Sequence, residues 1–561
     1  MIAKLYKLIP IFFWLLMPQY IFYSKSLAQV DFNEKNISNY FSGSVSLNNN
    51  KNTKAVKFYN SSKILKENHE NYIQKYTTSL VLDGKVSKSI SELKSTKSKK
   101  FSDFFEFNLI LLLDDIKKNN FNGAYEKLKK LEQFEQDGKL EFVISRTLKS
   151  YIEVFQTKKR SSNDNFDLGN IAKITLAFQK CYLKEIDTES SFIEIINSND
   201  GDFSRYLFFY INYLIEAGEV ETAKKHVSKI NFLNSNLITS QTKQWIIDEN
   251  FKDFQKIFSC QNHNHLIGEF LYLIANLYSA EGYYSESNFY LNLSLYMNEK
   301  FNFNRTLLLE NYLSIEEFKE AKKLINKFNK KNQSYYWHAV KQKTNIIENE
   351  EGDIEAFEFI KSEYDKIYNP SIKLKYDLAN FAKNSKMYKI SIKYYSEILN
   401  ELDDKSNLYA KVLYRRGGSY ERLGNYLIAD DDLLKSLSIN PNDPYVMNYL
   451  GYSWLERDIK IKEAFILLEN AHNKKKDDPY ITDSIGWAYY LKNDFKKAEN
   501  FLRKAVLLMP NDPIVNDHYG DILWKLDRKI EARYFWKNVL KLKETEDKMK
   551  KKIKKKLVFG I

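Results

Sequence analysis

DPYITDSIGWAYYLKNDFKKAENFLRKAVLLMP, residues 478–510, decides the fold. Its apolar residues recur at helical spacing in two runs. The first run predicts a helix over about Tyr480–Leu491. After the short polar break Lys492–Asp494, the second predicts a helix over about Phe495–Met509. Gly486 on the first helix lets it approach its partner closely. Ala498 and Ala505, seven apart, put two small residues on one face of the second. Pro510 cannot continue a helix, so it sets a boundary.

The same layout recurs on both sides. Gly417, Gly451, Gly486 and Gly520 are spaced by 34, 35 and 34 residues. Each is followed by a small residue, Ala429, Ala464, Ala498 and Ala532, and seven further on by Ser436, Ala471, Ala505 and Val539. Pro441, Pro479 and Pro510 are read as closing the first three units. A single helix pair cannot bury its apolar faces, and stacking pairs supplies a continuous core. Composition agrees: 17 Gly and 8 Pro in 561 residues are too few for the turn-rich β-sandwiches and propellers, and 43% hydrophobic with 15% aromatic is too apolar for disorder.

These residues resemble the tetratricopeptide repeat over 405–540, and the pattern continues upstream in weaker form. Ala275, Tyr278, Gly282, Ser287 and Ser294 stand at matching offsets, Ala321 and Ala356 follow at 34 and 35, and Ala55, Ser89 and Ala124 keep the same period. Between about 140 and 255 only Gly218 and Ala223 are legible. The resemblance implies an all-α, right-handed superhelical solenoid of about fourteen to fifteen helix-turn-helix units. NYLGYSWLERDI, ITDSIGWAYYLKNDFKKAENFL and PIVNDHYGDILWKLDRKIEARYFW further resemble envelope-targeted repeat proteins of proteobacteria. That group includes outer-membrane-associated adaptors that present substrates to a periplasmic processing protease.

Residues 1–28 have a basic start (Lys4, Lys7), an apolar run from Leu8 to Met17 and the small-residue end Ser26-Leu27-Ala28. This is the layout of a cleaved secretory signal peptide and places the mature chain in the periplasm. Five segments are expected: the signal peptide 1–28, degenerate repeats 29–260, intermediate repeats 261–404, regular repeats 405–540 and a basic capping tail 541–561. Cys181 and Cys260 lie 79 residues apart. In a linear stack this is more than two units, beyond the ~7 Å Cα limit for a bridge, so both are expected to be buried thiols.

No catalytic motif is found: GxxxxGK[ST], GxSxG, HExxH and CxxC are all missing. His263 and His265 form a pair without a third ligand, best read as a solvated turn. Cys181 with His226 has no supporting motif. Asp517 and Asp521 are four apart and can face one another, but nothing builds a pocket for acid–base chemistry around them. No enzyme, metal or cofactor is therefore expected. A net charge of +13 over 561 residues is too dispersed for a nucleic-acid footprint.

The residues three before, one after and four after each repeat glycine share one side of the first helix, the side that lines the groove in tetratricopeptide-like superhelices. They are Tyr414, Gly418, Glu421; Asn448, Tyr452, Leu455; Asp483, Trp487, Tyr490; and Asp517, Asp521, Trp524, with Tyr445 and Tyr480 opening two of these helices. This aromatic and acidic face has two readings. Its rings fill the inter-repeat core, or they anchor a protein or peptide partner of basic or polar character. The tail 541–561 carries nine Lys against three acidic residues, with Met549, Ile553 and Leu557 on one face. It reads as a capping helix docked by that face, or as a peripheral contact with anionic lipid.

Overall fold

A computed structural model describes residues 33–67, 69–96, 104–134, 139–160, 168–198, 204–230, 236–330 and 332–561. The expected signal peptide lies outside these residues. Among them are thirty α-helices and no strand. Chain order sorts the helices into fourteen short-loop pairs plus two single helices, Leu140–Thr157 and the terminal Asp547–Phe559. The seam of small residues is where periodicity placed it. Ala55, Ser89, Ala124, Ala223, Ser287, Ala321, Ala356, Ala429, Ala464, Ala498 and Ala532 are all buried on second helices of their pairs.

The reason for small residues is steric. A Cβ on Gly451 would stand 2.9 Å from the Ala464 carbonyl oxygen, and one on Gly486 would stand 2.8 Å from Leu502 Cγ. Helix pairs this close lose their contact when either surface grows. One assignment needs correcting. Pro479 does not close a unit; it opens the helix Pro479–Leu491, while Pro441 and Pro510 occupy the preceding turns. Asp443, Asp478 and Asp512 each precede a first-turn proline and cap a helix through their side chains. Asp478, for example, accepts from the Ile481 N–H at 3.0 Å. The carboxylate satisfies an orphan donor and the proline needs none, so Asp-Pro fixes the start of each first helix.

The chain forms two compact units, 1–346 and 347–561, and the division falls within the helix Gln333–Glu350. The first unit is not a linear stack, because its late helices return to its early ones. Tyr284–Met297 packs on Glu70–Leu82, Val86–Lys94 and Phe105–Lys117. The Tyr296 hydroxyl donates to Asp114 at 2.9 Å, and Lys51 pairs with Glu317 at 2.6 Å.

This return overturns the expectation for the cysteines. Cys181 and Cys260 form a disulfide, with Cα atoms 5.7 Å apart. The helix His263–Ala280 folds back across Leu140–Thr157 and Asn170–Leu183, which brings residue 260 beside residue 181 rather than two layers away. The interior so formed holds a buried ion pair: Arg205 donates to both oxygens of Glu269 and lies against the rings of Tyr272 and Phe303. His263 and His265 are not a solvated turn either. His263 meets the Ile116 carbonyl at 3.1 Å, and His265 accepts from the Ser259 N–H at 3.0 Å. Burial, then Lys300 and His263, holds His265 down to about 4, so both rings serve packing.

Candidate functional site: the groove of the regular repeats

The first helices of the second unit, Asn407–Arg422, Pro444–Glu456, Pro479–Leu491 and Pro513–Lys525, stand side by side, each backed by its own second helix. Between them lies a cavity of about 510 Å³. Asn448, Tyr452, Tyr480 and Asp483 line it, as the helical phase predicted. Tyr480 is 54% exposed. Asp483 is only 5% exposed; its Oδ2 is engaged by His518 at 2.8 Å, and its Oδ1 has no hydrogen-bond partner among the described residues. Asn448 Oδ1 is also buried and without a partner there.

Trp487 and Tyr490 lie beside this cavity as a stack. Their rings are 4.6 Å apart, and Trp487 continues onto His518 at 4.1 Å. The Trp487 N–H donates to Glu456 at 2.9 Å, one repeat back. Trp487 therefore joins three successive repeats as well as facing the groove. His518 is fully enclosed. Burial opposes its protonation, but Asp483, and beyond it Asp517 and Asp521, outweigh that and raise the ring above its usual range.

A tetratricopeptide repeat family model matches residues 410–443 and 484–512. Residues 410–443 and 484–512 are thus similar to tetratricopeptide repeats. A TPR repeat-containing protein of Pseudomonas aeruginosa is 33% identical over 110 residues, which is 20% of this chain and 18% of that relative. The match thus spans under a fifth of the relative's length. Among solved structures, a thermophilic TPR protein of Thermus thermophilus is 16% identical over 34% of this chain and 100% of its own, with TM-score 0.30. MamA of Desulfovibrio magneticus RS-1 is 22% identical over 31% of this chain and 97% of its own, with TM-score 0.26. PilF of Pseudomonas aeruginosa is 17% identical over 32% and 79%, with TM-score 0.28.

Glu421 also lines the cavity, while other expected groove residues are placed differently. Tyr445 is 46% exposed at the start of its helix but does not line the cavity. Leu455 is core, packed with Trp454 and Leu468. Asp517, Asp521 and Trp524 are covered by the terminal helix Asp547–Phe559. Lys556 Nζ lies 2.6 Å from Asp521 Oδ2 and also meets Asp517, while Lys552 reaches Asp517 at 3.2 Å. Asp521 also accepts from the Trp536 N–H at 3.0 Å. Arg422, Tyr449, Glu456, Ser484 and Asp512 line the cavity without having been foreseen. Arg422 and Glu456 stand eight residues after Tyr414 and Asn448. Following each row to i+8 instead of i+7 finds them and drops Leu455.

Proposed function

We propose that the protein is a scaffold or adaptor of the bacterial cell envelope that holds a protein partner in the groove of residues 405–540. Tetratricopeptide arrays are interaction scaffolds that work through such concave surfaces, and nothing in their architecture is catalytic. The observation that carries this reading is the cavity between Tyr452, Tyr480, Asn448 and Asp483. It offers large half-exposed rings beside two acceptor oxygens that lack donors. Rings supply contact area, and buried acceptors reward a donor-bearing or cationic group while penalising an anion. Recruitment of substrates to a protease is the specific adaptor role that the C-terminal sequence resemblance suggests. An exported location is supported by the basic, apolar and small-residue order of residues 1–28 and by the Cys181–Cys260 bridge, since such bridges persist in oxidising compartments.

The experiment is affinity capture of the exported protein from a periplasmic extract, with Tyr480→Ala and Asn448→Ala beside the parent. Partner recovery falls in both variants while the melting temperature holds. Equal recovery from all three proteins overturns the groove reading.

A second reading, contact with an anionic membrane during envelope assembly, is favoured by the outer face of the terminal helix. Lys548, Lys551, Lys554 and Lys555 are exposed there, next to Val558 and Phe559. Pelleting with anionic but not neutral vesicles tests it; no pelleting with either removes it.

A further inference from the structure

We propose that the terminal helix Asp547–Phe559 is an intramolecular ligand of the groove, and that a partner's basic amphipathic helix takes its place. This rests on the groove reading above and adds the chemical class of the partner.

The helix combines a short apolar row with a buried ionic anchor. Ile553 is its one apolar residue that is fully enclosed; Met549 and Leu557 are only partly buried. Its backbone packs on Lys529–Lys541, and its lysines reach across to Asp517 and Asp521 on Pro513–Lys525. The polar anchor is Lys556, itself buried, with its ammonium between Asp517 and Asp521, and Lys552 one turn earlier on Asp517. At the other end Glu546 pairs with Lys386 at 2.6 Å, 160 residues earlier in sequence. Both members of that pair are exposed, so it adds little holding strength. The connection Leu542–Glu546 is non-helical, and the buried Thr545 hydroxyl, which donates to the Val539 carbonyl at 2.6 Å, is the contact that must open for the tail to leave.

The groove itself asks for a cation. Asp517 and Asp521 both lie buried on one helix face, and burial together with the neighbouring Asp517 raises Asp521 above the usual carboxylate range despite Lys556. Withdrawing the tail leaves two adjacent carboxylates with only His518 as a neighbouring positive group, so a replacement cation is favoured. The acceptor-rich surface then continues past the end of the tail's site: His518 joins Asp517 and Asp521 to Asp483, whose Oδ1 lacks a donor and whose side chain lines the open cavity. A partner helix with lysines four apart beside an apolar row matches the tail's contacts, and a longer one reaches the Asp483 cavity as well. Being tethered, the tail competes at an effective concentration of about millimolar. It therefore sets a threshold that weak basic segments do not pass.

The test uses the full chain and a labelled synthetic peptide of residues 544–561 as the probe. In Lys552→Glu/Lys556→Glu protein the tail is released while the groove carboxylates are kept, and the peptide binds at least about tenfold more tightly than to the parent. Adding Asp517→Asn/Asp521→Asn removes that binding. Equal peptide affinity for the parent and the released variant overturns the proposal. Against misfolding of the charge-reversal variant, a second protein carries a protease site within the Leu542–Glu546 connection and is cut after purification. The labelled peptide exchanges with the cut tail while the repeats keep their helicity. If the cut tail never exchanges, or the repeats melt as it leaves, the helix is a fixed cap and the proposal falls. If Tyr480→Ala loses captured partners while the tail variants change nothing, the groove reading stands and this proposal alone fails.

Discussion

Removing the Cys181–Cys260 bridge gives the most quantitative check on the closed first unit. The two residues are 79 apart. Cross-linking them withdraws loop-closure entropy from the unfolded chain of about 15 cal/mol/K, or about 4.5 kcal/mol at 25 °C. Cys181→Ala/Cys260→Ala forfeits this term and leaves two small apolar side chains in a buried site, so no polar group is stranded. For a unit of this size the loss corresponds to a drop in melting temperature of about 6 °C. The assay is thermal unfolding followed by far-ultraviolet circular dichroism, with thiol alkylation and mass measurement of the unreduced parent. The chain holds two cysteines, both in the first unit, so the transition of 347–561 is an internal reference that stays where it was. Two results refute the reasoning. One is alkylation of both thiols in the unreduced exported protein. The other is a double variant whose first transition coincides with the parent's.

Three further outcomes follow. Ala498→Trp, at a fully buried helix contact, destabilises the C-terminal repeats by about 1–3 kcal/mol or more in urea unfolding; an unchanged midpoint contradicts the packing register. His518 has a raised pKa, so its charge stabilises the fold below its unfolded value of about 6.5, and that stability is lost as pH rises through the higher folded value. The melting temperature of the parent therefore falls over this range, and His518→Gln flattens the slope; the groups that face the ring are Asp483, Asp517 and Asp521, with Lys556 behind the last two. Asp483→Lys reverses the charge at the cavity and lowers capture of a basic partner at least about tenfold, with the parent's own capture weakening as salt is raised; salt-independent capture contradicts a charge-selective groove.

The fold was legible because its determinant is local. Two helices in contact need a small residue at the crossing, and that requirement prints itself every 34 or 35 residues over 55–124, 287–391 and 429–532. Ser391 is buried at the equivalent place in the Tyr388–Glu401 helix but escaped notice, because the first helix of that unit, Ile372–Asn384, carries no glycine to mark the phase. The return of the first unit on itself had no such signal. It sums small rotations over many irregular pairs and an extra helix, Leu140–Thr157, and no short motif encodes a sum. The disulfide was misjudged for that reason alone. In the groove the facing of Asp517 and Asp521 was right, yet their occupant was missed. Met549, Ile553 and Leu557 identified the docked face of the tail, and Lys556, three residues after Ile553, shares it. Assigning every lysine to the solvated face hid it.

The two units use one architecture to opposite ends. In 1–346 the helices curl until early and late ones touch, and the surface between them becomes interior: Arg205 is enclosed, its charge answered by Glu269, its faces by Tyr272 and Phe303. Even so, Arg205 Nη1 has no acceptor among the described residues, so closure does not satisfy every buried group. In 347–561 the regular repeats keep their first helices side by side. There a carboxylate such as Asp483 lines the cavity while its buried Oδ1 lacks a donor among the described residues. An orphan acceptor of this kind costs about 1–3 kcal/mol in a sealed core. Beside an open cavity the same oxygen is a contact held in reserve. The irregular sequence of the first unit goes with its curvature and closure, and the regular sequence of the second keeps its first helices side by side, which is why the proposed partner site is placed there.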